Sequence, residues 1–110
     1  MAEPTLQAVF GANATQTATT ISINKADIAE FGLIPDANNT AESLLMSLIM
    51  HASKTLNEAQ RISDPGVRQV AIDAITPDIF DDGINAYERK LWSVVVYLPY
   101  AEQPLDVSGL

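Results

Sequence analysis

The feature that most restricts how this chain can fold is the run from Thr40 to about Arg61, where Leu45, Leu48, Ile49, Ala52, Leu56 and Ala59 recur at three- and four-residue spacing. Apolar residues at that period share one face of an α-helix. Ser43, Ser47, Lys54, Glu58 and Arg61 fall on the other side. Asn39, followed three residues later by Glu42, has the form of a capping box with Asn as the cap. A helix of this length spans roughly 30 Å, about the width of a small domain, so it is expected to be the central core element. Asp64-Pro65-Gly66 should end it and reverse the chain, because proline cannot supply the next helical hydrogen bond and glycine tolerates a sharp turn.

A second strong pattern runs from Ala86 to Tyr97. Trp92, Val94, Val96 and Leu98 alternate with Leu91, Ser93, Val95 and Tyr97, which predicts a long, mostly buried strand. Pro99 lacks a ladder donor and should close it. Between these two elements, Val67 to Ile75 fits either a strand (Val70, Ile72, Ala74) or a helical face (Val67, Val70, Ala71, Ala74), and the strand is favoured. Thr76-Pro77 resembles a cap with proline at the first helical position, so a helical turn from Asp78 to Asp82 is expected before Gly83.

Toward the N-terminus, Leu6 to Phe10, Gly11-Ala12-Asn13, and the Thr-rich run into Ile21-Ser22-Ile23 suggest two strands joined by a turn. Asn24 is placed to cap a short helical stretch from Lys25 to Phe31, with Gly32 ending it, and Pro35 and Asn38-Asn39 mark a loop. The leading hypothesis is therefore an α+β fold: an N-terminal β-hairpin and one long central amphipathic helix packed on a small, mainly antiparallel sheet. Residues 1–100 are expected as a single compact domain and 101–110 as an extended C-terminal tail.

With 47% hydrophobic residues, a chain of 110 residues can build one core. Fourteen acids against six bases give a charge of −8, which opposes the phosphate contacts that nucleic-acid binding requires. Lys25, Arg61, Arg68, Arg89 and Lys90 are scattered, with too few aromatics between them for a base-stacking platform. The absence of cysteine removes disulfides, thiolate nucleophiles and thiolate-ligated metals. Met1-Ala2-Glu3-Pro4 does not read as a secretory signal, and Leu44 to Ala52 is about half a membrane span and is broken by Ser47 and His51. The acceptor patterns Asn13-Ala14-Thr15 and Asn38-Asn39-Thr40 have no meaning without export.

Few residues suggest chemistry. The single histidine, His51, has Ser47 one helical turn away but no carboxylate at helical spacing to orient it, so a structural role is expected. Asp78, Asp81 and Asp82 precede Gly83 as D-x-x-D-D-G, whereas a calcium loop needs D-x-D-x-D-G; a solvated turn is expected, with no metal or other cofactor. There is no phosphate-binding glycine loop and no nucleophile elbow. Aromatics are enriched at interface hot spots as well as in cores. Trp92 is assigned to the core; Tyr97 and Tyr100, with Leu105, Val107 and Leu110 of the tail, are the candidate interface residues.

The stretch Ala8-Val9-Phe10-Gly11-Ala12-Asn13-Ala14-Thr15-Gln16-Thr17-Ala18-Thr19-Thr20, then Ile23-Asn24-Lys25-Ala26-Asp27 and Asn38-Asn39-Thr40-Ala41-Glu42-Ser43-Leu44-Leu45, resembles small structural proteins of tailed phages and prophage-like loci, especially of cyanobacteria. The resemblance covers the first half of the chain. It implies a virion part such as a head decoration, neck or tail component, with no catalytic residues. The function expected is therefore a non-enzymatic, homo-oligomeric assembly subunit, in the virion or host cytoplasm. Its partners would be itself or another virion structural protein, and neither nucleic acid nor membrane. An interaction or adaptor module of a bacterial cell is the alternative, and a small carboxylate-based enzyme a third.

Overall fold

The computed structural model describes residues 3–63, 68–98 and 107–110. It is an α+β arrangement of one long bent helical rod and two separate two-stranded antiparallel sheets.

Leu6–Phe10 is a short helix, α1, rather than the expected strand. Thr5 explains the difference: its hydroxyl accepts the Ala8 amide at 3.0 Å, satisfying a donor that a helix start leaves free. The N-terminal hairpin is real but small, formed by β1 (Thr15–Gln16) and β2 (Ile21–Ser22). The threonines serve its turn more than its strands. Thr17 Oγ1 accepts the amides of Thr19 and Thr20, and the Thr17 amide donates to the Thr20 carbonyl at 2.9 Å. Asn24 caps the next segment as expected, its Oδ1 accepting the Ala26 amide, but only a 3₁₀ turn over Lys25–Ile28 forms.

The rod begins at α2 (Ala41–Ser53), turns through 54–57 and continues as α3 (Glu58–Ser63). Its cap is Thr40, whose hydroxyl accepts the Ser43 amide at 3.1 Å, and not Asn39. Asn39 is held in the preceding loop, accepting from the Asp36 amide and donating to the Ile34 carbonyl. The bend also has named causes. Asn57 donates to the Ser53 carbonyl and accepts from the Gln60 amide, the Leu56 carbonyl accepts the Ile72 amide at 2.9 Å, and Asp73 accepts the Glu58 amide at 3.1 Å. The turn thus exposes backbone groups that the neighbouring strand satisfies.

That strand, β3, runs Val70–Asp81, and β4 runs Ala86–Val96. The expected helical turn at 78–82 does not form. Thr76 and Pro77 sit at a register irregularity between Ile75 and Asp78, where proline's missing N–H removes no ladder bond, and the strand continues through them. The expected turn at Asp64-Pro65-Gly66 lies outside the described residues.

Among the described residues the buried apolar positions are Ala14, Ile28, Ala52, Ala71 and Ile72. The helix faces differ from expectation: Leu45 is 57% exposed, and Ser47, expected at the surface, is 8% exposed. Spacing finds a stripe but not which neighbours will cover it, and here the helices meet β3 while α1 and the 3₁₀ turn cover the other flank. β4 is not a buried strand either, since Val94 is 59% exposed and Ala86 through Lys90 are all exposed. The radius of gyration is 16.4 Å, against about 13 Å for a folded domain of this length. The accessible surface is 7902 Å², whereas a folded monomer of 11.8 kDa is expected to expose about 5,900 Å².

Candidate functional site

Seven of the exposed large hydrophobic residues, Ile75, Ile79, Phe80, Ile84, Tyr87, Val94 and Val95, lie in the β3–β4 hairpin. Only its root is covered: Ala71 and Ile72 are buried, while β3 is exposed from Ala74 onward. The distal part is an arm carrying Ile75, Ile79, Phe80, Ile84 and Tyr87 in contact with solvent, with Ile79 77% and Ile84 86% exposed. A two-stranded ribbon is marginal in water unless something supports it, and here polar chemistry holds the arm. Arg89 grips Asp78 across the strands with two hydrogen bonds, at 2.6 and 2.5 Å, and its guanidinium lies 5.6 Å from the Phe80 ring centroid.

At the tip, Asp81 Oδ1 accepts the Gly83 amide at 2.8 Å, and Asp82 Oδ1 accepts those of Ile84 and Asn85 at 2.8 and 2.7 Å. Gly83 supplies the positive φ, +89°, that the turn requires. The three aspartates therefore build the arm. Arg89 holds the Asp78 carboxyl below its ordinary range, and the Asn85 and Ile84 amides do the same for Asp82. No group of three potential metal ligands occurs among the described residues.

At the root of the arm lies an apolar groove of about 420 Å³, lined by Met46 and Met50 of α2 and by Ala74, Pro77, Leu91 and Trp92 of the hairpin. Trp92, assigned to the core, is only half-buried and walls this open groove opposite the helix.

His51 does have a carboxylate partner. Its Nδ1 lies 2.5 Å from Glu30 Oε1, which also accepts from Lys54 Nζ at 3.2 Å. Glu30 is 21 residues upstream, so no helical spacing could reveal it. His51 Nε2 is buried without a hydrogen-bond partner, so no nucleophile is engaged there; the dyad ties the 29–32 loop to α2.

Of the candidate interface residues, Tyr97 is engaged within the chain. Its hydroxyl donates to Glu58 Oε2 at 2.8 Å, and Arg61, bonded to Glu58 Oε1, stacks 3.8 Å from its ring centroid. The Glu58 bond raises the Tyr97 pKa, and Arg61 and Tyr97 together lower that of Glu58. Val107 and Leu110 are exposed around a 3₁₀ turn at Val107–Gly109. Tyr100 and Leu105 lie outside the described residues.

The sequence reading missed the arm itself. The signal for it was Glu88-Arg89-Lys90: three successive charges occupy both faces of a strand, so that stretch cannot be buried on either side. No described helix is long and apolar enough to cross a membrane. No protein-family model, curated protein or solved structure matches this chain.

Proposed function

We propose that this protein is a non-enzymatic assembly subunit of a phage-like particle, working by contacts with copies of itself or with another structural protein of the virion, and located in the virion or the host cytoplasm. The observation that carries the proposal is the projecting hairpin, with apolar residues on a preformed ribbon that nothing else in the described chain covers. A folded monomer gains nothing from exposing Ile79, Phe80 and Ile84, whereas a subunit that buries them on a neighbour gains about 25 cal/mol for each Å² of apolar surface. The resemblance of the first half of the chain to phage structural proteins supplies the setting.

Light scattering on the purified full chain tests this. A defined oligomer is expected. A chain that stays monomeric as its concentration is raised would remove the self-assembly role.

A further inference from the structure

We propose that the outer edge of β4 pairs with the same edge of a second copy, antiparallel about a two-fold axis at Leu91, so that two hairpins form one four-stranded sheet ordered β3-β4-β4-β3. The inference rests on the assembly role above and adds a backbone contact to it, distinct from the apolar side chains of Ile79, Phe80 and Ile84.

The hydrogen-bond pattern fixes which backbone groups are free. In an antiparallel pair, successive residues direct their N–H and C=O alternately toward the partner strand and away from it. Ile72 faces Val94 in the ladder but donates its amide to Leu56, so the Ile72–Val94 pair points outward. The Tyr97 amide donates inward, to the Gln69 carbonyl at 2.7 Å. The irregularity lies in β3, where Ile75 to Asp78 is matched by Leu91 to Arg89, so the alternation in β4 is unbroken. Ala86, Glu88, Lys90, Trp92, Val94 and Val96 therefore present their backbone groups at the outer edge. None of those groups is bonded to another part of the described chain.

The edge of β3 is closed by contrast. Leu56 takes the Ile72 amide, Asp73 caps α3, and Pro77 has no N–H to offer a second strand.

The register follows from geometry and charge. Outward residues must face outward residues, so only alternate registers are allowed. Centring on Leu91 uses all 11 residues of β4. It sets Ala86 against Val96, Glu88 against Val94, Lys90 against Trp92, Tyr87 against Val95 and Arg89 against Ser93 of the second copy. No like charges meet, and each Lys90 ammonium can lie over a Trp92 ring. One allowed step toward the tip sets Lys90 against Lys90, and two steps set Arg89 against Arg89. Such a contact is isologous and closes at two copies.

The chain has no cysteine, so single introduced cysteines report the register. Leu91 would face itself in a non-hydrogen-bonded pair with Cα atoms about 4.5 Å apart, within disulfide range. Ser93 would be about 14 Å from its own copy. Leu91→Cys is expected to form a covalent dimer on mild oxidation, and Ser93→Cys is not. Glu88→Pro removes an outward N–H and the Glu88–Lys90 ion pair while sparing the internal ladder, and is expected to halve the mass measured by light scattering while the circular dichroism spectrum is kept. A wild-type oligomer with no preferential Leu91→Cys crosslinking, or with Glu88→Pro folded and still associated, overturns the β4 contact and leaves the assembly role standing. A wild-type monomer overturns the β4 contact and the self-assembly role together. If Glu88→Pro fails to fold, the cysteine pair decides.

Discussion

Gly11 offers the sharpest test of how the N-terminal segment is seated. It ends α1 with φ +113° and ψ 153°, a region that is essentially glycine-only and costs other residues about 1–3 kcal/mol. A Cβ there would stand 2.6 Å from the Cβ of Asp27. Asp27 cannot swing aside freely, because its carboxylate accepts the Asn13 backbone amide at 2.8 Å and the Asn13 side-chain amide at 3.0 Å. Shifting it sacrifices these partly exposed bonds, about a further 1–2 kcal/mol. Gly11→Ala should therefore cost about 2–5 kcal/mol, a large share of the roughly 5–15 kcal/mol available to a domain. Gly32→Ala is the matched control: its φ is +107°, but nothing lies within 4 Å of the added carbon, so only backbone strain of about 1–2 kcal/mol is expected. Urea unfolding at one fixed protein concentration measures both, with unchanged m-values showing that the same transition is compared. If Gly11→Ala is no more destabilising than Gly32→Ala, the contact between the α1 end and Asp27 is not the constraint described.

Ile72 and Ile79 lie on one strand, with Ile72 8% and Ile79 77% exposed; Ile72→Ala should cost about 2–5 kcal/mol and Ile79→Ala under about 0.5 in urea unfolding at a protein concentration where the chain is monomeric. Acid titration should expose the Glu30 link. Burial pushes its carboxyl up, but hydrogen bonds from His51, its own amide and Lys54 outweigh this and hold it below its ordinary value of 4.5. A carboxyl lowered by folding contributes stability that is present above 4.5 and lost as pH falls through the folded value. Glu30→Gln should thus flatten the decline in urea midpoint over that window, and an unaltered pH profile would remove the link. Calcium should leave the melting temperature unchanged, since Asp78, Asp81 and Asp82 are already engaged by Arg89 and the tip amides; a rise would mean that the tip rearranges around the ion.

Local features were the most legible in the sequence. The 3.6-residue stripe located the rod, Asn24 was recognised as a cap, and alternation found β4. Long-range features were not legible. Thr40 displaced Asn39 as the helix cap because the loop claimed Asn39, and the bend at 54–57 depends on another element, whose Ile72 amide donates to the Leu56 carbonyl and whose Asp73 carboxylate accepts the Glu58 amide. Burial failed for a related reason: Leu91, Trp92, Val94, Val95 and Val96 have the pattern of an interior strand, but a strand is buried only if other layers exist to cover it. After α2 and α3 have packed on β3, no described element remains for the outer side of β4.

That shortage gives the polar bonds of the arm their significance. Without cover, the ribbon has no apolar layer to hold its distal strands together, yet Asp78 and Arg89 fork across it and the Asp81 and Asp82 carboxylates fix the tip. These bonds are exposed and individually weak, so they serve less to stabilise the monomer than to restrict the ribbon to one shape. Ordering a mobile strand on association costs conformational entropy for every residue fixed. An arm already shaped before it meets a neighbour avoids much of that cost, and its free backbone edge then needs only a partner strand of matching register. Asp78→Ala should accordingly weaken association more than it lowers the folded signal of the isolated chain, measured by light scattering and circular dichroism on the same samples. Equal loss in both would show that the Asp78–Arg89 fork belongs to the folding of the chain and not to its readiness to pair.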